Sequence, residues 1–340
     1  MTYVLAPVTA KVNLKMKTRL MFRIGSIPFC LFFGAVAFAQ CDIEDWVQDA
    51  ADAWENNGVV AETLCYVELL DAMDLETARE YGRQYDEELQ RRGHPVAAYK
   101  IGIHLPSVQP MFGLSGPLFG VLHGEGALFE NDGEVPVQGQ ALNLEPDFLL
   151  RVGSERINEA TTIEEAAQYL EAVCAFIELP VFLNNPEQVE PGVGLSAHFM
   201  QAASAGGRYG IVGDCLNTAD DPDIVENLRT MRVVGTDHTG TEQSFKDQQT
   251  DELHLLVTAL MAADYLGRRG QSLQPGDLIS VGALAGNPRR IAESAGPGGE
   301  AAVAVGEPDP EWSNLHADSP PKHVTYYIGD RILTVTANFR

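Results

Sequence analysis

The stretch Val96-Ala97-Ala98-Tyr99-Lys100-Ile101-Gly102 marks the point where the sequence changes from helical to strand-like patterns. Before it, residues 42–92 carry apolar side chains at helical spacing, Asp74 can cap a helix, and Gly93 can end one. After it, short apolar runs punctuated by glycine and proline continue to about Phe148, as strands and turns do. We therefore expect an α+β fold in which a helical N-terminal section precedes a β-rich body.

The β-rich body is also predicted to contain two helices. Thr162 and Glu165 form a capping-box pattern before the first helix. The second covers Asp251–Arg268 and stops at Gly270. A strand is predicted over Val173–Leu179, and a hairpin over Val324–Phe339, turning at Gly329-Asp330. Ala292–Pro321 is predicted to be a long loop.

The first 39 residues have the layout of a secretory signal. They include five lysines and arginines and no acid, an apolar run from Ile24 to Ala39, and small residues at Ala37 and Ala39 where signal peptidase requires them. We expect cleavage after Ala39, a mature chain that begins at Gln40, and a periplasmic location. An uncleaved membrane anchor is the alternative. The predicted organisation is a signal peptide (1–39), a helical section (40–93) and a body (94–340).

The charge of the chain excludes some classes of partner. Removing residues 1–39 takes away five positive charges and no negative ones, so the formal charge falls from −25 to −30. Such an acidic surface repels phosphate backbones and anionic lipid, so we expect no nucleic-acid partner and no membrane contact after signal cleavage. A metal cation suits this charge better as a ligand than an anion does. The sequence leaves open whether the chain forms a homo-oligomer.

Four cysteines remain in the mature chain, namely Cys41, Cys65, Cys174 and Cys215. They can pair in three ways, and the sequence does not choose among these. Our first expectation is a Cys41–Cys65 bridge between the N-terminal helices, with free buried thiols as the alternative. The scattered spacing argues against a zinc site.

A pair of acids stands out in the run Leu144-Glu145-Pro146-Asp147-Phe148. In an extended chain, residues two apart point to the same face, so Glu145 and Asp147 should converge. Glu178 is a third acid, in an otherwise apolar strand-like run. Three acids in apolar surroundings would be costly unless a hard divalent cation accepted their oxygens. The alternative is that they are solvent-facing acids on edge strands, which Pro146 favours.

These features together resemble the 2-keto-4-pentenoate hydratases of the fumarylacetoacetase-like superfamily. The shared series starts with a Gly/Ala-Tyr-Lys-x-Gly segment, here residues 98–102, and continues with the acid-x-acid strand and the third acid after one helix. It ends with Arg-Gly-x-x-Leu-x-x-Gly-Asp, here residues 269–277. The order and spacing of these motifs agree from about Leu75 to Leu284.

The resemblance implies a fold, a cofactor and a substrate class. The fold would be a mixed β-sandwich roll like the C-terminal domain of fumarylacetoacetase, with the helical section at its N-terminus. Glu145, Asp147 and Glu178 would hold Mg²⁺ or Mn²⁺, and a 2-oxo acid would chelate this metal ion. Lys100 matches the family lysine near the substrate, where it would orient the substrate carboxylate or help to move a proton. An isolated surface lysine is the alternative.

The sequence also departs from the family where the substrate would bind. Leu118 replaces the acid of a Pro-Asp-Phe-Gly turn, and Ala283 stands where relatives often carry hydroxyl side chains. His123 follows the altered turn and could take over proton transfer, although a histidine that is merely hydrogen-bonded in a loop is the alternative.

Three functions are compatible with this pattern. The first is a metal-dependent hydratase, a hydro-lyase that acts on a 2-hydroxydienoic or 2-oxo acid such as 2-hydroxypenta-2,4-dienoate. The second is another reaction of the superfamily, such as C–C hydrolysis, decarboxylation or tautomerisation of an oxo acid. The third is a non-catalytic periplasmic binding protein that keeps the fold.

Overall fold

The structure is a computed structural model that describes residues 41–137, 143–183, 196–246, 253–282, 312 and 315–340. The predicted signal peptide with its cleavage site, and most of the predicted loop over Ala292–Pro321, lie outside these residues. The described residues all belong to one compact unit.

Three helices form the N-terminal section, as predicted: α1 (Trp46–Glu55), α2 (Thr63–Asp71) and α3 (Leu75–Arg91). Asp74 caps α3 by accepting a 2.8 Å hydrogen bond from the backbone N–H of Thr77, and Gly93 follows the helix with a φ of +96°. Trp46 lies at the centre of this section, in edge-to-face contact with Tyr66 and with Phe199 from a later helix. These apolar contacts hold the helical section against the body of the protein.

The body contains two β-sheets. The seven-stranded sheet has the order β2-β1-β10-β5-β6-β7-β3. Its strands are β1 (Val96–Gly102), β2 (Leu118–His123), β3 (Leu128–Glu130), β5 (Glu145–Val152), β6 (Leu170–Leu179), β7 (Tyr209–Asn217) and β10 (Leu278–Ser280). The five-stranded sheet has the order β4-β12-β11-β8-β9, from β4 (Glu134–Val135), β8 (Arg232–Thr236), β9 (Glu242–Lys246), β11 (Lys322–Ile328) and β12 (Arg331–Phe339). The predicted hairpin around Gly329-Asp330 is confirmed as β11 and β12.

Four further helices connect or cover the strands: α4 (Ile163–Tyr169), α5 (Ala197–Ala202), α6 (Ile224–Arg229) and α7 (Val257–Gly267). The capping pattern before α4 is confirmed, because Thr162 Oγ1 accepts a 3.2 Å hydrogen bond from the backbone N–H of Glu165. The helix predicted over Asp251–Arg268 begins later, at Val257. Just before it, the His254 ring accepts a hydrogen bond from the backbone N–H of Leu256, so the chain turns around this side chain instead of continuing as helix.

The two faces of the seven-stranded sheet have different surroundings, because successive side chains point to opposite faces. One face, which includes Phe148, Leu150 and Val173, packs against the second sheet and the helices to form the main core. The other face, which includes Leu149 and Phe176, forms a smaller apolar cluster.

The seven-stranded sheet curls so that its two ends approach each other. Near the start of β7, Ser204 Oγ accepts a 2.8 Å hydrogen bond from the backbone N–H of Val121 in β2, the edge strand at the far end of the strand order. The second face is therefore the inner face of the curl. The mixture of helices and curled sheets confirms the predicted α+β fold.

Two disulfides join the four cysteines of the mature chain. Cys41 bonds to Cys65, which confirms the pairing that we expected from the sequence. Cys174 bonds to Cys215, which lies directly opposite it in the register of β6 and β7. None of the helices in the described ranges is both long and apolar enough to cross a membrane.

Candidate metal centre

The three predicted metal ligands lie on the inner face of the curled sheet. Glu145 begins β5, and Asp147 lies two residues further along on the same face. Glu178 lies directly opposite Glu145 in the antiparallel register of β5 and β6. Asp147 and Glu178 are completely buried, whereas Glu145 is half-buried. The period-two pattern therefore placed Glu145 and Asp147 correctly on one face, and the register of β5 and β6 adds Glu178 to it.

Lys100 reaches the same acids from β1. Its ammonium forms an ion pair with Glu178 Oε1, and the exposed fractions of the two side chains are 4% and 0%. Apart from this ammonium, no described residue gives either buried oxygen of Glu178 a hydrogen bond. One partner for two buried carboxylate oxygens is fewer than a buried carboxylate usually has.

Three hydrogen bonds hold the carboxylate of Asp147 in place, two of them from residues at the end of β10. Its Oδ2 accepts a 2.5 Å hydrogen bond from Ser280 Oγ and a 3.1 Å bond from the backbone N–H of Gly282, while Oδ1 accepts a 2.6 Å bond from the N–H of Phe148. A Cβ at Gly282 would lie 2.2 Å from the carbonyl oxygen of Ile101, and φ there is +85°, so only glycine fits. The side-chain direction of Asp147 is therefore fixed.

A tyrosine of the second sheet joins the two strands that carry the acids. The buried Tyr326 hydroxyl donates a 2.6 Å hydrogen bond to the carbonyl of Phe176 and accepts a 3.2 Å bond from the backbone N–H of Asp147. Asp147 and Phe176 are cross-strand partners in β5 and β6. The hydroxyl therefore fixes the positions of β5 and β6 next to the acids.

Burial raises the pKa values of all three carboxyl groups, and the charge of Glu178 adds to the rise at the other two. Burial, and then the charge of Glu178, raise the pKa of Glu145 to about 7, against the opposing effect of Lys100. Burial and the charge of Glu178 also hold the pKa of Asp147 well above its usual value, despite its hydrogen bonds. Burial raises the pKa of Glu178, which Lys100 opposes. When ionised, three carboxylates beside one ammonium carry a net charge of −2, which a divalent cation would offset.

Two solved structures with a similar fold are of a decarboxylase. 4-Oxalocrotonate decarboxylase from Pseudomonas putida G7, complexed with calcium and acetate, superimposes with a TM-score of 0.62 at 14% identity, over 88% of this chain and 99% of that chain. The same enzyme complexed with magnesium and adipate gives a TM-score of 0.63 at the same identity and coverage. The chain has the fumarylacetoacetase-like fold. No protein-family model matches the sequence, and a search of curated proteins finds no match.

The donors present in this fumarylacetoacetase-like fold suit a hard divalent cation. All three are carboxylates, which Mg²⁺ and Mn²⁺ prefer, and Lys100 is the one polar partner of the Glu178 oxygens among the described residues. No group of three histidine, cysteine or acidic side chains within the described ranges already surrounds a common ion position. The Lys100 ammonium lies against Glu178 instead. A metal ion would therefore have to draw Glu178 away from Lys100.

His123 does not join the acids. Its ring nitrogens contact Asp86 Oδ1 at 2.9 Å and the carbonyl of His94 at 3.3 Å, and the ring packs beside Trp54 and Tyr85 of the helical section. Along β2, His123 and Leu122 point to opposite faces, and Leu122 is the one on the inner face. The structure therefore supports the alternative, that His123 is a hydrogen-bonded structural residue, and corrects its prediction as a proton carrier.

The departures from the family pattern also have structural counterparts. Leu118 is buried in an apolar cluster with Leu114 and Met200, and Ala283 lies outside the described residues. Ser280 and Tyr326 form hydrogen bonds at Asp147, and sequence reasoning missed both. Ser280 lies three residues before Ala283, which the family resemblance had singled out, so the motif pointed to its neighbourhood. Nothing in the sequence around Tyr326 indicated a role.

Proposed function

We propose that the protein is a divalent-metal-dependent lyase that acts on a small 2-oxo or 2-hydroxydienoic acid, with hydration of 2-hydroxypenta-2,4-dienoate as the reaction. The observation that carries this proposal is the buried Lys100–Glu178 ion pair on the same face as Asp147 and Glu145. When ionised, these three acids outnumber the one ammonium, and such a buried group of acids with one lysine suits a site for a metal ion and an anionic substrate.

Mg²⁺ or Mn²⁺ is the proposed cofactor, held by Glu145, Asp147 and Glu178. When bound, such an ion supplies a Lewis acid that stabilises the enolate form of a 2-oxo acid. The likeness to a decarboxylase solved with magnesium supports this choice.

The chain's own residues perform three further tasks in the proposal. Ser280 and the backbone N–H of Gly282 hold Asp147 in position before the metal arrives. Lys100, released from Glu178, orients the carboxylate of the substrate and can move a proton. Leu118 cannot carry a proton, so we propose that turnover is slow.

Decarboxylation of a 2-oxo acid is the second candidate, because the two solved structures described above are of a decarboxylase. A non-catalytic binding protein is the third. It is favoured by the burial of Leu118 among apolar side chains, where the family carries an acid.

We also propose export to the periplasm. The secretory-signal pattern over residues 1–39 supports it. So do the two disulfides, since disulfides persist in oxidising compartments and are rare in the cytosol.

An assay of three proteins tests the proposed function. With Mn²⁺ present, loss of dienol absorbance is followed for the wild type, Leu118→Asp and Glu145→Ala, and carbon dioxide release is measured on 4-oxalocrotonate in parallel. We expect weak hydratase activity in the wild type, no activity in Glu145→Ala, and a gain in Leu118→Asp, because a proton carrier is typically worth ~10²–10⁴ in rate. Carbon dioxide release without hydration would favour the decarboxylase. No turnover by any protein with metal bound would favour the binding protein.

A further inference from the structure

An apolar wall lies beside the candidate metal centre. We define it by the buried Leu114, Leu118, Met200 and Ala205, with the half-buried Ile103 and Phe182 packed against them; the same cluster also contains Ala197 and Leu75. The wall joins segments that are distant in sequence, namely the end of β1, the start of β2 with the residues before it, α5 with the turn after it, and the segment after β6.

The wall stands at the same end of the sheet as the acids. Glu145 begins β5 and Glu178 lies near the end of β6, and the parallel strands β1 and β10 also end here. Gly102 lies two residues beyond Lys100 on the same face, and a Cβ built on it would be 3.5 Å from Leu118 Cβ. The wall therefore begins next to the position that follows Lys100 on the same face of β1. We call this end of the sheet the mouth.

The backbone around the mouth is strained. Six non-glycine residues of the described ranges have positive φ, and two of them, Asn57 and Asp132, belong to types that tolerate it. The other four all lie in segments at the mouth, with φ between 48° and 57°: Ile103, Leu183, Ser204 and Ala205. Strained backbone persists where the surrounding structure enforces it and is concentrated at functional sites. This independent observation marks the wall as part of a ligand-binding region.

We propose that the wall selects the substrate by its tail: the enzyme takes 2-oxo acids whose second end is uncharged and apolar, and it rejects dicarboxylates. The proposal rests on the proposed function, which places the 2-oxo acid head group at the acids and Lys100. The tail then points along the inner face towards Ile103 and Phe182, the two wall residues with exposed surface. No member of the wall can pair with a second carboxylate, whose burial there would be unfavourable.

Binding of three ligands to Mn²⁺-loaded protein, measured by calorimetry, tests the proposal. Oxalate reports on the head-group site alone, and 2-oxohexanoate and 2-oxoadipate have equal carbon chains with an apolar and a charged end. We expect oxalate to bind, and 2-oxohexanoate to bind at least tenfold more tightly than 2-oxoadipate. Oxalate binding without this preference would overturn the role of the wall and leave the proposed function standing. Failure of oxalate to bind would overturn both.

A charge placed in the wall gives a second test. Ile103→Lys is tolerable because the position is half-exposed and lysine is less hindered than a β-branched residue at positive φ. We expect it to reverse the preference, so that 2-oxoadipate binds at least as tightly as 2-oxohexanoate. The matched control is Ile332→Lys, on the exposed surface of β12, which should keep the wild-type preference. An unchanged preference in folded Ile103→Lys would contradict the proposal.

Discussion

Lys100 and Glu178 form an ion pair that is almost completely buried, and Glu178 has no other polar partner among the described residues. The pair joins β1 to β6 across the inner face of the curled sheet. It supplies one positive charge to three acids. When all three are ionised, the site carries a net charge of −2, which a divalent cation would offset.

Replacing the lysine should therefore affect stability and metal affinity in opposite directions. In metal-free Lys100→Met, Glu178 keeps a buried charge without a partner, so we expect a loss of roughly 3–5 kcal/mol in the free energy of unfolding. Because a competing cation is removed, Mn²⁺ should bind about tenfold more tightly. Denaturation with and without Mn²⁺ measures both effects. The control, Arg151→Met, breaks an exposed pair with Glu171 and should cost at most about 1 kcal/mol. Equal or weaker Mn²⁺ binding by Lys100→Met would contradict the competition.

The Tyr326 hydroxyl should contribute to metal affinity through the positions of the strands. Tyr326→Phe leaves the carbonyl of Phe176 and the N–H of Asp147 without this partner, at a cost of roughly 1–3 kcal/mol in unfolding free energy. Because Asp147 is then less firmly placed, Mn²⁺ affinity should fall as well. Tyr327→Phe, at the neighbouring half-buried position, is the control and should change neither quantity. If Tyr326→Phe loses stability but keeps wild-type Mn²⁺ affinity, the hydroxyl has a structural role only.

Export and disulfide formation can be checked on one sample. Protein from the periplasmic fraction should begin at Gln40 or its pyroglutamate form, and its mass after alkylation without reduction should show no free thiol. Reduction should lower the unfolding free energy by about 3–4 kcal/mol for each of the two loops, which close over 24 and 41 residues. Recovery of the unprocessed, fully alkylated chain from the cytoplasm would refute both export and oxidation.

His254 should make stability depend on pH. Burial lowers the pKa of His254, whose ring contacts the carbonyl of Val225 and accepts a bond from Leu256. The folded protein therefore takes up this proton at a lower pH than the unfolded chain, where the pKa is about 6.5. The contribution of His254 to the unfolding free energy should then fall as the pH drops from 7.5 to 5.5, while the acids with raised pKa values act in the opposite direction in every variant. His254→Gln should therefore lose less stability, or gain more, over this pH range than the wild type or the exposed-site control His316→Gln. Identical pH profiles for all three proteins would show that His254 makes no contribution.

Much of the fold could be predicted because it depends on local patterns. The helix cap at Asp74, the hairpin turn at Gly329 and the change to strands after Gly93 each follow from a few neighbouring residues. The acids could also be placed on one face, since Glu145 and Asp147 are two apart in a strand. The start of α7 could not be predicted, because a tertiary contact of the His254 ring replaces the first turn.

The parts of the site that were missed depend on register and on distant contacts. The pairing of Cys174 with Cys215 follows from the register of β6 and β7, and this register cannot be read from the sequence. Tyr326 reaches Asp147 across 179 residues of chain. His123 looked suitable from its neighbours in sequence, but the strand turns it outward to Asp86.

Calorimetric titration of metal-free protein with Mn²⁺ tests the central claim most directly, in the wild type, Glu178→Gln and Glu171→Gln. Both acids lie on β6, but Glu178 is buried in the site and Glu171 is exposed on the strand. We predict one Mn²⁺ per chain for the wild type and for Glu171→Gln, and at least a hundredfold weaker binding for Glu178→Gln, a loss of about 2.8 kcal/mol. Absence of Mn²⁺ binding by the folded wild type, or equal affinity in Glu178→Gln, would contradict the claim that these acids form a metal centre.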